Sequence, residues 1–268
     1  DFVGISPPLI IGTITDICGD TVGGVAITAN PSGSTITTDG AGNFSLPVPR
    51  GGTYTITPSL AAWSFDPANR NIPNINSNVP GQNFLATPPT IDYVWTGIGA
   101  GTGPNFDASW ANANNWTVNN QPTNGRFPRC VDYATIETST AVHLAGPRTV
   151  KRFTYSAGEV YGGTLTVTER MDWHGANAAN QNALINNANL TIPDGSELHL
   201  QGSDRKALQG GVVTNQGTIV WTGEYLSLDS TALNSVCRID NFGTLRLEST
   251  IDFQLFLDGG YDCTFNNK

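Results

Sequence analysis

The side chains able to do chemistry are few and scattered. His143, His174 and His199 are the only histidines. The four cysteines, Cys18, Cys130, Cys237 and Cys263, form no Cys-x-x-Cys pair, so the spacing of a structural zinc site is missing. Asp204 and Asp229 stand 25 apart, and Asp229 and Asp258 stand 29 apart. With Arg205 and Lys206 nearby they are the candidates for a carboxylate pair beside a base, but no third acid follows at that interval. Asp39, in Asp39-Gly40-Ala41-Gly42-Asn43, brings one carboxylate where a calcium loop needs several. Asp and Asn at a turn accept local backbone hydrogen bonds instead. No Gly-x-Ser-x-Gly elbow, phosphate loop or dinucleotide fingerprint is present. These residues imply no metal, no cofactor and no catalytic set, so the expectation is a protein that is not an enzyme.

The elements that carry these residues are short strands. The 268 residues are 38% hydrophobic and 13% charged, enough apolar content for a sizeable core. The 30 Gly and 16 Pro point to an all-β chain rich in turns. Net charge is −9, only 13 residues are Lys or Arg, and no Lys precedes Lys151. A partner rich in phosphate needs a basic face, so nucleic-acid binding is not expected. No apolar run nears the roughly 18 residues of a membrane span, and no membrane insertion is expected. No charged-then-apolar leader follows Asp1, so any signal peptide is expected to have been removed. An even cysteine count in an acidic, β-rich chain fits a secreted or cell-surface setting, with four separate thiols as the alternative.

Residues 9–89 alternate apolar and polar positions between turns at regular intervals, the pattern of a small β-sandwich. Gly12-Thr13-Ile14-Thr15-Asp16, Val25-Ala26-Ile27-Thr28-Ala29, Thr38-Asp39-Gly40-Ala41-Gly42-Asn43-Phe44 and Tyr54-Thr55-Ile56-Thr57-Pro58 follow in order. Together with Trp63-Ser64-Phe65-Asp66-Pro67-Ala68-Asn69-Arg70 they resemble the carboxypeptidase regulatory-like domain. That resemblance implies a transthyretin-like sandwich, found as tandem non-catalytic modules in secreted bacterial proteins. The segment holds no Lys, which excludes a Lys–Asn isopeptide lock here.

The rest of the chain, residues 90–268, repeats. Gly163-Thr164-Leu165-Thr166-Val167 aligns with Ala188-Asn189-Leu190-Thr191-Ile192, then Gly217-Thr218-Ile219-Val220-Trp221, then Gly243-Thr244-Leu245-Arg246-Leu247. The steps are 25, 29 and 26 residues. That period suits one turn of a right-handed parallel β-helix and is too short for a propeller blade. Asn186, Asn215, Asn241 and Asn267 precede the small residue of each repeat and are expected to stack as an amide ladder. The recurring Asn-x-Gly-Thr pattern resembles the β-helix stalks of bacterial adhesin-like and autotransporter-like surface proteins.

Parallel β-helices also host enzymes that cleave polysaccharides, so a polysaccharide-binding or polysaccharide-cleaving protein is the alternative function. Trp95, Trp110 and Trp116 bear on it. They either stack on sugars or cap the first turn of the helix, and a solenoid needs such a cap. Cys237 and Cys263 are 26 apart, one local period, and should touch on neighbouring turns, as a disulfide or as two thiols. Cys18 and Cys130 both fall in loops and could tie the two domains together.

Both ends read as joins. Asp1-Phe2-Val3-Gly4-Ile5-Ser6-Pro7-Pro8 echoes Asn83-Phe84-Leu85-Ala86-Thr87-Pro88-Pro89, so residues 1–8 are expected to close a preceding repeat or form a linker. Cys263 to Lys268 echoes Cys237 to Phe242, as though a turn of the helix were incomplete. The expected partners are neighbouring domains of a longer chain or head-to-tail copies of this one, with polysaccharide as the alternative. The expected function is a non-catalytic extracellular structural module: a stalk, an adhesin or a filament subunit.

Overall fold

The computed structural model describes residues 6–98, 107–175, 183–229, 236–248, 254–258 and 263–268. The protein is all-β, with both antiparallel and parallel sheets, and the chain divides into two compact units, Asp1–Pro89 and Thr90–Lys268. Among the described residues no helix is long and apolar enough to cross a membrane. The echo at the start of the chain falls largely on residues 1–5, outside the described residues.

In the first unit, two four-stranded sheets share one core. One sheet runs, in spatial order, Asn43–Pro47, Leu9–Asp16, Phe84–Thr87 and Ser64–Asp66. The other runs Ser34–Thr37, Ala26–Asn30, Tyr54–Ser59 and Arg70–Ile72. Alternation decides which side chains go in: Ile10, Ile14, Ile27, Ile56, Leu46 and Phe84 are buried together. Each such side chain contributes about 1.5–3 kcal/mol by leaving water. Asp39 serves the hairpin loop, accepting from the Ala41 and Asn43 amides at 3.0 and 2.8 Å. Those bonds, with that from Asn43 foremost, hold its carboxyl below the usual range. Gly42 sits at φ +75°, where a Cβ would lie 2.4 Å from the Ile14 carbonyl.

The second unit begins with Asp92–Trp95, paired antiparallel to Trp116–Val118, which pairs in turn with Gln121–Pro122. Asp92–Trp95 also pairs parallel with Tyr133–Ile136, and from there the strands stack in parallel through Pro147–Tyr155 to Thr164–His174. Thr164–His174 is long enough to feed two columns. Its first half pairs with Asn189–Ile192, followed by Gly211–Asn215, Cys237–Asn241 and Cys263–Asn267. Its second half pairs with Glu197–Gln201, followed by Thr218–Trp221 and Thr244–Leu247. A third column, a separate sheet, holds Val142–His143, Gly158–Tyr161, Ala183–Asn186, Lys206–Gln209, Tyr225–Asp229 and Gln254–Asp258. From Ala183 on, the chain visits the three columns in rotation.

This topology corrects the repeat read from the sequence. Leu190 pairs with Val213, not Ile219; Ile219 belongs to the second column, above Leu198. The alignment crossed from one column to the other because both carry alternating apolar residues behind a small residue. The correct steps are 23 residues from Leu190 to Val213 and 26 from Val213 to Ile239. Inward residues of successive levels stack into one core that includes Leu165, Leu190, Val213 and Ile239, and Met171, Leu198 and Ile219.

Candidate functional site

Three of the four predicted ladder asparagines stack. Asn215, Asn241 and Asn267 are register partners at the ends of first-column strands. The Nδ2 of Asn215 donates to Oδ1 of Asn241 at 2.5 Å, and the Nδ2 of Asn241 donates to Oδ1 of Asn267 at 2.5 Å. Each amide also closes its own turn, Asn215 to the Gly217 carbonyl at 3.1 Å and Asn241 to the Gly243 carbonyl at 3.3 Å. The glycine follows from the same packing. A Cβ at Gly243 would lie 2.0 Å from the Gly217 carbonyl oxygen, so the turns stack only without one. Thus Asn-x-Gly is one device: the side-chain amide satisfies a turn carbonyl and the level above.

Asn186 is not part of the ladder. It ends a third-column strand and donates to Glu159 at 2.7 Å. The level beneath Asn215 carries Ile192 at that register, which leaves the buried Oδ1 of Asn215 without a partner among the described residues. The ladder therefore starts at Asn215 and has a direction, with every donor facing the higher-numbered level.

Cys237 and Cys263 are register partners in the same column. Both are thiols, so of the two options left open by the sequence the structure has the unbonded one. The reason is local: on in-register parallel strands the two side chains point the same way, and the Cys237 thiol donates to the Leu208 carbonyl at 3.2 Å. Burial, with the Cys263 thiol beside it, pushes Cys237 up to about 12, far from the thiolate that disulfide exchange needs. Cys18 lies in the turn after Leu9–Asp16 of the first unit, and Cys130 in the turn before Tyr133–Ile136 of the second.

Trp95, Trp110 and Trp116 pack edge-on at the entry of the second unit, with centroids 5.0 Å apart for Trp95–Trp116 and 4.8 Å for Trp110–Trp116. All three are buried and donate their indole N–H groups, to Thr140 Oγ1 and to the Pro128 and Trp110 carbonyls. Buried rings offer no face to a sugar, which corrects the stacking option and leaves these residues closing the core.

Asp172 takes a hydrogen bond from Gln201 and an ion pair from Arg170 at 2.7 Å, and His199 meets Glu197 at 2.7 Å. The bond to His199 holds Glu197 below its ordinary range. His143 stacks on Tyr161, with centroids 4.8 Å apart, and His174 ends the long strand Thr164–His174. Asp229 and Asp258 are register partners, whereas Asp204 stays in the turn before Lys206–Gln209. Among the described residues no three of His, Cys, Asp and Glu gather as metal ligands.

The sequence reading set Lys206 only beside a carboxylate pair and missed its burial. Lys206 stands in register with Ala183 and Leu226, both buried, and is itself wholly buried. Its ammonium bends to the Gly202 and Asp204 carbonyls, at 3.1 and 2.9 Å. Burial lowers it to about 8. The only signal was a charged residue where the column requires an apolar one.

No family model, curated protein or solved structure matches the chain.

Proposed function

We propose that the chain is a non-catalytic extracellular structural module, a transthyretin-like β-sandwich of the carboxypeptidase regulatory-like kind followed by a right-handed parallel β-helix. Its work is mechanical, as a stalk, adhesin or filament subunit of a bacterial secreted or surface protein. Neighbouring domains or further copies are its partners. The observation that carries this reading is the directional stack Asn215–Asn241–Asn267 at the corner of strand columns in register. Such a stack satisfies buried polar groups from level to level and favours stiffness over movement. A disulfide between Cys18 and Cys130 belongs to the same proposal and suits an oxidising compartment.

The second reading, polysaccharide binding or cleavage, has one observation in its favour: Arg170, Asp172, Glu197, His199 and Gln201 share two adjacent strands of one column. Incubation with a polysaccharide array separates the two. The structural reading expects no saturable binding and no released oligosaccharide; micromolar binding or unsaturated products would contradict it. Non-reducing peptide mass spectrometry should find Cys18 linked to Cys130, with Cys237 and Cys263 alkylated as thiols.

A further inference from the structure

The ladder begins where two unequal turns meet. Ile192 is in register with Asn215, and Glu197 with Thr218. Between those pairs the lower level spends four residues, 193–196, and the upper level two, Gln216 and Gly217. One level higher, Asn215 pairs with Asn241 and Thr218 with Thr244, and again two residues, Phe242 and Gly243, make the turn. The turn after Asn215 therefore has its own kind above it and a wider turn beneath it. At that junction two buried side-chain oxygens have no hydrogen-bond partner among the described residues, Oδ1 of Asn215 and Oγ of Ser196. Asn215 is wholly buried and Ser196 is 2% exposed. Asn215 lies two residues after Val213 and Ser196 two before Leu198, so alternation puts both side chains on the core side of the same corner.

The neighbourhood offers Asn215 no donor of its own. Its amide cannot flip, because Nδ2 donates to the Gly217 carbonyl and a flip would set two acceptors against each other. Ile192, in register beneath, carries no side-chain donor. The main-chain amides of the corner are committed. Gln216 and Gly217 donate to the Ile192 carbonyl, Thr218 to the Ser196 carbonyl, and Ser196 to the Pro193 carbonyl. We propose that this corner binds one buried water molecule, which donates to Oδ1 of Asn215 and hydrogen-bonds to Oγ of Ser196. The two oxygens call for one donor and one group able to donate or accept, and water is the smallest neutral molecule that is both. A metal ion would want charged oxygens, and Asp194, the carboxylate of this turn, is exposed. The two extra residues of the lower turn give the room. The water does for Asn215 what the Nδ2 of the asparagine below does for Asn241 and Asn267, and so is the lowest rung of the ladder.

The test is a crystal structure of the full chain at a resolution that shows single waters, joined to oxygen-17 relaxation dispersion, which counts long-lived internal waters in solution. One water is expected about 2.7–3.0 Å from both Oδ1 of Asn215 and Oγ of Ser196. Ser196→Ala removes one of its two partners and should shorten its residence time about tenfold. Ile192→Asn places an amide in register beneath Asn215. The new Nδ2 should take the water's place, and the dispersion should fall by one internal water. A direct bond from Ser196 Oγ to Asn215 Oδ1, an ion in place of the water, or no bound molecule at the corner would overturn the proposal. So would a water indifferent to Ser196→Ala, a variant that loses only a hydroxyl and decides the matter even if Ile192→Asn does not fold.

Discussion

The first and the last described levels of the second unit are built differently. At the entry, three indoles fold edge-on over the core, each N–H finds a carbonyl or hydroxyl, and the terminal strand turns antiparallel and ends in Pro122. In the last described levels the strands pair in parallel register, Leu247 and Phe242 stand more than half exposed, and Asn267 accepts from Asn241. A stack of levels exposes its core at both ends, so each end must be closed or occupied. The difference shows that the entry is fixed by a few large side chains packed edge-on, and the later levels by repeated register.

The comparison predicts unequal costs. Trp116→Ala at the closed end should lose about 3–5 kcal/mol of stability in urea unfolding, because it opens a cavity under Trp95 and Trp110 and strips the Trp110 carbonyl of its donor. Midway along the stack, Asn241→Leu should cost about 2–3 kcal/mol. It removes the acceptor of one Asn215 N–H and the donor to the Gly243 carbonyl while keeping the branched shape of the side chain.

Lys206 gives a pH signature. Its folded pKa, lowered to about 8 by burial, lies below the ordinary lysine value of 10.5. Between those values the unfolded chain binds more protons, so this residue makes stability rise with pH from about 8 and reach its full contribution above 10.5. The part of the pH dependence that Lys206→Met removes should have that sign, and a difference of opposite sign would show the ammonium is not buried. The smallest effect belongs to an exposed side chain of the last described levels. Leu247→Ser should change stability by no more than about 0.5 kcal/mol, since that side chain already meets water.

Much of this was legible in the sequence. Alternation placed Ile14, Ile27 and Phe84 in one core and Leu165, Leu190, Ile219 and Leu245 in another, although in the first strand it is Ile10, between Leu9 and Ile11, that is buried. Three ladder positions and the contact of Cys237 with Cys263 followed from a period of 26 residues. What was lost was register between columns. Two strands per level share the same alternation and the same small leading residue, so pattern alone cannot say which column a repeat occupies, and Asn186 was placed one column away from its true position. The burial of Lys206 escaped for a different reason. Its four-carbon stem fits an apolar site while its ammonium finds turn carbonyls, and nothing in a one-dimensional pattern distinguishes that from a solvated lysine.

A double-mutant cycle on Asn215 and Asn241 tests the ladder most directly, with Asn186 and Asn215 as the comparison pair. Single and double Asn→Ala variants would be unfolded in urea and the coupling energy taken from the four stabilities. A coupling of about 1 kcal/mol between Asn215 and Asn241, and none beyond error between Asn186 and Asn215, is the expected result. Additive effects of Asn215 and Asn241, or a coupling that appears between Asn186 and Asn215 instead, would contradict the column register on which the account stands.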